Sequence, residues 1–351
     1  MSKKIKILIV DDSLLVRKSL AKVFSEDDDL EVIGEAIDPY MAVKELKKMA
    51  PDVITLDIEM PKMDGITFLK KLMSQHPIPV VVISTLTQKG TNAALKALEY
   101  GAVEVLPKPK VNTREELLEK SEYLRRVIKS AAKANLSKLS IDLNQSERIP
   151  SKIHGTLSKV PTKQVVAIGA STGGTTALKM ILKGMSALSP GVVVVQHMPE
   201  MFTKQFADRL NTECEIAVSE AQDGDRLYAG HALIAPGNKH MMLKGGPSDY
   251  RVQIMDGPRV NHHKPSIDVL FKSVARYAKN KAIGVLLTGM GKDGAIGLLE
   301  MKNNGAHNIA QNEKTSVVFG MPKEAIKLGA AHEVLAIEKI GEAILNQRQS
   351  K

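Results

Sequence analysis

Two groups of residues in this 351-residue sequence have the types and spacing to do chemistry. In the first, Asp11 and Asp12 follow an apolar run directly, Asp57 ends a second, Ser84 ends a third and Lys108 closes a fourth. Three carboxylates at one place repel one another unless a hard cation lies among them, and oxygen ligands of this kind suit Mg²⁺. An aspartate beside that ion and a fixed lysine is well placed to accept a phosphoryl group, since both cations neutralise the incoming oxygens. The second group begins at Gly169-Ala170-Ser171-Thr172-Gly173-Gly174, between the run Val165–Ile168 and the helix-like Thr176–Leu182. Small residues around a serine permit a tight strand–turn–helix that exposes its oxygen. A glycine-rich turn at a helix start also suits phosphate, so the motif alone leaves both a nucleophile and an anion cradle open.

The residues downstream separate these readings. A dinucleotide site wants an acid about 20 residues on, ending the next strand. That strand, Gly191–Gln196, ends in His197, which gives a serine its base. An acid must then fix the imidazole tautomer. Asp293, in Gly289-Met290-Gly291-Lys292-Asp293-Gly294 after the run Ile283–Thr288, falls at the same rim; Asp268 competes but reads as a first-turn helix acid. The order Ser…His…Asp differs from the Ser…Asp…His of ordinary α/β-hydrolases. Cys214, flanked by Glu213 and Glu215, has no base beside it and two charges that disfavour a thiolate. Among the other histidines, His231 precedes a strand and so belongs to the opposite rim, and His307 and His332 fall near strand starts. His240 and the pair His262-His263 lie in loops that could approach a substrate, with no further ligands to suggest a metal.

Parallel sheets must position both groups. Lys6–Val10, Glu31–Ala36, Val53–Asp57, Val80–Ser84 and Val103–Leu106 read as short buried strands separated by amphipathic stretches. Val165–Gly169, Val192–Gln196, Ala232–Ala235, Ile283–Thr288 and Asn308–Gln311 repeat that rhythm. In such sheets sites form at the carboxyl ends of the strands. Met241–Lys244 and Arg251–Met255, around Gly245-Gly246-Pro247-Ser248, read as an inserted hairpin. Between the two regions a long helical stretch, Glu115–Ala134, runs into Ser-, Lys- and Pro-rich text. The division predicted is residues 1–110, a helical then flexible linker over 111–163, and a second domain over 164–351.

Composition narrows the classes. The net charge of +10 is spread as zero over 1–110, +5 over 111–163 and +5 over 164–351, with no dense basic block. Aromatics are 3% and tryptophan is absent, so base-stacking platforms are scarce and no nucleic-acid partner is expected. One cysteine allows no intrachain disulfide. No apolar run approaches the ~20 residues that span a bilayer, so no membrane insertion and a cytoplasmic setting are expected.

Asp11-Asp12, Leu56-Asp57 through Met60-Pro61 and Asp64-Gly65, Ser84, and Lys108-Pro109 together resemble the signature of a response-regulator receiver domain. That resemblance implies a flavodoxin-like fold with Asp57 as phosphoacceptor. It also implies Mg²⁺ held by Asp12, Asp57 and the Glu59 carbonyl, and a pocket completed by Asp11, Ser84 and Lys108. Val105 stands where many receivers carry an aromatic residue. Residues 164–345 resemble the catalytic domain of the chemotaxis protein-glutamate methylesterases. The likeness is carried by Gly169–Gly174, Gln196-His197-Met198-Pro199, Ile234-Ala235-Pro236-Gly237, Asn261–Phe271, Thr288–Gly294, Ala310–Glu313 and Phe319–Pro322. It implies a Rossmann-like domain in a two-domain, doubly wound α/β chain. Ser171 is then nucleophile, His197 base, Asp293 orienting acid and the Met290 N–H an oxyanion donor, with no cofactor for the hydrolysis. Lys292 replaces the Asn expected before Asp293. The resemblance further implies a histidine kinase as phosphodonor and the cytoplasmic helices of methyl-accepting chemoreceptors as substrate. A non-enzymatic module, with Gly169–Gly174 holding an anion beside a receiver, is the alternative.

Overall fold

The computed structural model describes residues 3–60, 63–85, 87–108, 114–138 and 160–347. Pro61, Pro109 and most of the predicted flexible linker lie outside the described residues. The chain divides into two compact units, Met1–Ser146 and Glu147–Lys351.

In the first unit, β1 (Ile5–Val10), α1 (Leu14–Ser25), β2 (Leu30–Ala36), α2 (Pro39–Leu46), β3 (Val53–Leu56), α3 (Gly65–Gln75), β4 (Val80–Ser84), α4 (Gln88–Glu99) and β5 (Glu104–Pro107) alternate along the chain. The strands form a wholly parallel sheet in the order β2-β1-β3-β4-β5. The order reverses between β1 and β3, and the crevice at such a switch point lies at the strands' carboxyl ends. Strand residues such as Ile7, Leu8, Ile54 and Val81 are fully buried, as expected when helices cover both faces. Short polar side chains start the helices: Ser13, Asp38, Asp64 and Thr87 each accept from a backbone N–H of the first turn. The helix assigned to the linker from sequence is α5 (Arg114–Ala131) of this unit. Its Leu124, Val127, Ile128 and Ala131 are buried, and Arg125 and Lys129 pair with Glu26 and Asp27 beyond the end of α1, at 3.0 and 2.8 Å.

The second unit begins with β6 (Val165–Ala170), α6 (Gly174–Lys183), β7 (Gly191–Gln196), α7 (Glu200–Glu213), β8 (Ala217–Glu220) and β9 (His231–Ile234). The antiparallel hairpin β10 (His240–Lys244) and β11 (Arg251–Met255) interrupts the alternation, as the sequence predicts. Then follow α8 (Ile267–Tyr277), β12 (Ala282–Leu286), α9 (Ala295–Asn303), β13 (His307–Gln311), α10 (Met321–Lys327), β14 (Glu333–Leu335) and α11 (Ile337–Asn346). Seven parallel strands run β14-β13-β12-β6-β7-β9-β8, with β6 central and every residue of β6 and β7 buried. Strands β8 and β14 are not predicted from the sequence. Helix α8 packs against β10, β6 and α9, and its first residue, Ile267, lies against Gly169 near the carboxyl end of β6. No described helix is long and apolar enough to cross a membrane.

Candidate functional site

Strand register in the first unit carries the acids to one rim. Val10 pairs with Leu56, so Asp11 and Asp57, each one residue beyond, lie side by side at the switch point. Both are 1% exposed, and Lys108 ion-pairs with Asp11 at 3.0 Å and Asp57 at 2.7 Å. Burial pushes the Asp57 carboxyl up and Lys108 pulls against it; the neighbouring Asp11 adds to the rise. Burial acts to lower Lys108, but its two carboxylate partners carry it above its ordinary value. Carboxylate oxygens of Asp11, Asp12 and Asp57 lie within 4.8 Å of one another, a hard-donor set that fits Mg²⁺. The Glu59 N–H donates to Asp57 Oδ1 at 3.2 Å, which places the Glu59 backbone beside the cluster. Ser84 is fully buried at the end of β4, and the Lys108 N–H donates to its carbonyl at 2.8 Å. Val105 is buried in β5 opposite Val82. Arg17, absent from the sequence reading, donates to the carbonyls of Asp11 and Asp12 at 2.9 and 3.1 Å and braces the loop that carries them.

The second site is assembled by the same logic. Ala170 pairs with Gln196, so Ser171 and His197, the next residue on each strand, are lateral neighbours about 5 Å apart at the rim. Their backbones are tied: the His197 N–H donates to the Ala170 carbonyl at 3.0 Å, and Gln196 Nε2 donates to the carbonyls of Ser171 and His197. Gly173 stands at φ 78° with Val317 only 2.6 Å from where a Cβ would be, which no other residue tolerates at that turn. Ser171 is 7% exposed and His197 4%. Among the described residues no hydrogen bond joins the Ser171 hydroxyl to His197.

Of the two candidate acids, the structure brings Asp293 to the histidine. His197 Nε2 lies 2.8 Å from Asp293 Oδ2. The carboxylate sits at the N-terminus of α8, where it also accepts from the Ile267 N–H at 2.7 Å, Ser266 Oγ at 2.8 Å and Asn261 Nδ2 at 2.9 Å. Burial alone would raise its pKa, but these donors and the imidazole hold it well below the usual carboxylate range. An ionised Asp293 requires the proton on Nε2, which leaves Nδ1 as the lone pair; that atom is buried and unpartnered among the described residues. Asp268 instead accepts from the Gly297 N–H at 2.7 Å and joins α8 to α9, its pKa raised by burial and by Asp293.

The Gly289–Asp293 loop closes the site. A Cβ on Gly289 would lie 2.6 Å from that of Ser171, so only glycine lets the loop approach the serine this closely. Gly289 is pinned by the Gly320 and Met321 N–H groups, and the Met290 N–H has no partner among the described residues. The sequence does not mark Asn261 and Ser266 as members of the site; His263, predicted to lie in a loop able to approach a substrate, stacks on His197 with centroids 3.6 Å apart. His240 is structural, accepting from the Ser266 N–H and bonded to the Pro258 carbonyl. His231, at the opposite rim, meets Ser219. Cys214 is 3% exposed, and burial with the neighbouring Glu213 pushes its thiol up to about 11. Cys214→Ser should accordingly retain most of the activity of the Ser171 site; a loss comparable to that of Ser171→Ala in initial-rate assays would revive a thiol mechanism.

Residues 166–344 match the CheB methylesterase family model, and residues 7–122 match the response regulator receiver domain model, whose match extends into α5. A protein-glutamate methylesterase/protein-glutamine glutaminase of Oleidesulfovibrio alaskensis is 50% identical over 352 residues, covering 98% of this chain and 99% of the relative. One from Geobacter metallireducens is 50% identical over 351 residues, with coverages of 98% and 99%. The crystal structure of the Thermotoga maritima CheB methylesterase catalytic domain is 40% identical and covers 53% of this chain and 98% of its own, with a TM-score of 0.51. A receiver sheet, a second parallel sheet with serine and histidine on neighbouring strand ends, and near-complete alignment to such relatives lead to one conclusion: this chain belongs to the CheB methylesterase family.

Proposed function

We propose that the chain is a cytoplasmic, phosphorylation-activated hydrolase that removes methyl groups from glutamate esters on chemoreceptor helices and deamidates receptor glutamines. The receiver, completed by α5, takes its phosphoryl group from a histidine kinase, and the catalytic domain occupies 164–351. The observation that carries the reading is the buried His197–Asp293 pair at 2.8 Å, set one strand from Ser171.

Ser171 attacks the ester carbonyl while His197 Nδ1 takes the hydroxyl proton. The Met290 N–H, without an internal partner, supplies a donor where the oxyanion develops. Collapse of the tetrahedral intermediate breaks the bond to methoxide, which leaves as methanol with the proton held by His197. Water, deprotonated by the same nitrogen, attacks the acyl-serine and regenerates the hydroxyl and a glutamate. Asp293, held ionised by the α8 N-terminus, keeps the Nε2–H tautomer and steadies the imidazolium. A glutamine amide follows the same course with ammonia leaving. The anion-cradle alternative leaves the His197–Asp293 pair without a task.

In the receiver, Asp12, Asp57 and the Glu59 carbonyl would hold Mg²⁺, which when bound neutralises phosphoryl oxygens. Lys108 already sits on Asp57 and supplies a second positive charge there. Methanol release from methylated receptor membranes, with and without a phosphodonor, tests the proposal. Wild-type chain should release methanol faster with the donor. Asp57→Ala should show the same rate with and without it, and stimulation that survives the substitution would place the phosphoacceptor elsewhere.

A further inference from the structure

Between β11 and α8 the chain makes a narrow reverse turn, Val260-Asn261-His262-His263. Val260 and His263 exchange both backbone hydrogen bonds, at 3.1 and 2.9 Å. Asn261 and His262 both have positive φ, 51° and 68°, the pattern of a type I′ turn built without glycine. Non-glycine residues seldom adopt this backbone, and here two do so in succession beside the triad. The turn carries two side chains into the site. Asn261 divides its amide protons between Asp268 Oδ2 at 2.7 Å and Asp293 Oδ1 at 2.9 Å. His263 lies flat on His197, with ring planes 6° apart and centroids 3.6 Å apart.

The stack supplies a constraint that the His197–Asp293 bond lacks. A hydrogen bond at Nε2 fixes one point of the ring but leaves the plane free to swing about it. The Nδ1 lone pair lies in that plane, so a swing turns it away from the serine. Nδ1 has no partner of its own among the described residues to hold it in place. We infer that His263, presented by the Val260–His263 turn, is a positioning residue that sets the plane of His197 and so aims Nδ1 at Ser171. This rests on the proposed roles of Ser171 and His197. It makes the flat face of His263, rather than its nitrogens, the feature the reaction needs.

The test compares full-length His263→Ala, His263→Leu and His263→Phe, each shown folded by its thermal melt. Two quantities are read: the rate at which a serine-directed phosphonate labels Ser171, and kcat and KM for methanol release. Misaiming a reacting group by about an ångström costs up to ~10²-fold, so the Ala variant should label and turn over ~10- to 100-fold more slowly with KM little changed. His263→Leu fills volume without a flat face and should be slow as well. His263→Phe, which restores the flat face, should recover most of both rates. A Phe variant as slow as Ala, a Leu variant as fast as Phe, or a rise in KM with labelling unaltered would each overturn the inference. Labelling reads the serine directly. A wild-type chain that labels at Ser171 but releases no methanol would therefore remove the methylesterase reading and leave this one standing.

Discussion

Replacing Ser171 by alanine is expected to give a folded chain whose methanol release falls by ~10³–10⁶-fold, since members of such a triad act as a unit. The fold should survive because every hydrogen bond at this position is made by the backbone. The Ser171 N–H donates to Thr288, its carbonyl accepts from the Gly174 N–H and from Gln196 Nε2, and the hydroxyl binds nothing among the described residues. Removing one oxygen from a side chain only 7% exposed leaves a small void and no orphaned partner. Unchanged thermal melting alongside a collapsed initial rate is the expected pair of results. A folded variant that kept most of its rate would show that the carbonyl is attacked by some other group.

What could be read in advance follows from how parallel sheets declare themselves. Buried β-branched runs such as Val192–Gln196 mark strands, and their carboxyl ends mark a rim, so Asp11, Asp57, Ser171 and His197 could be placed without coordinates. Strands β8 and β14 escaped because they are short and lie at the sheet edges, where partial exposure dilutes the apolar signal: all three residues of β14 are at least partly exposed. Helix α5 reads from sequence as a helix within a connector, because its mostly polar sequence hides the narrow face that Leu124, Val127, Ile128 and Ala131 bury.

The surroundings of Asp293 were the least legible part. Asn261, Ser266 and Ile267 stand more than twenty residues away, and no local pattern says whose backbone meets a distant carboxylate. A usable signal was Pro265-Ser266 ahead of an apolar-periodic run, which marks a helix start and hence an anion site. Asp268 lies inside that helix, and the anion at its N-terminus comes from the distant Asp293.

Asp293→Asn should therefore fail for a reason specific to this arrangement, losing ~10⁴-fold in rate as when the acid of a serine-protease triad becomes an amide. The amide must choose an orientation. With its oxygen toward Asn261, Ser266 and the Asp268 N–H, its NH₂ faces the Ile267 N–H and His197 Nε2. The Ile267 donor is then left unpaired at a cost of about 1–3 kcal/mol. The NH₂ also donates to Nε2, which drives the imidazole proton onto Nδ1 and removes the lone pair proposed to serve Ser171. The reverse orientation sets the NH₂ against the Asn261 and Asp268 donors and is worse. Acid unfolding supplies an independent check. A carboxyl whose folded pKa is depressed adds stability above its unfolded value of about 3.9 and loses it as pH falls through the lower folded one. The wild-type advantage over Asp293→Asn should be full at neutral pH and narrow below about pH 4. Asp268→Asn, which loosens the contact between α8 and α9 without touching His197, should lower stability more than rate. If Asp293→Asn were nearly fully active while a folded Asp268→Asn was dead, the acid of the triad would be Asp268, and the 2.8 Å bond to His197 would be structural.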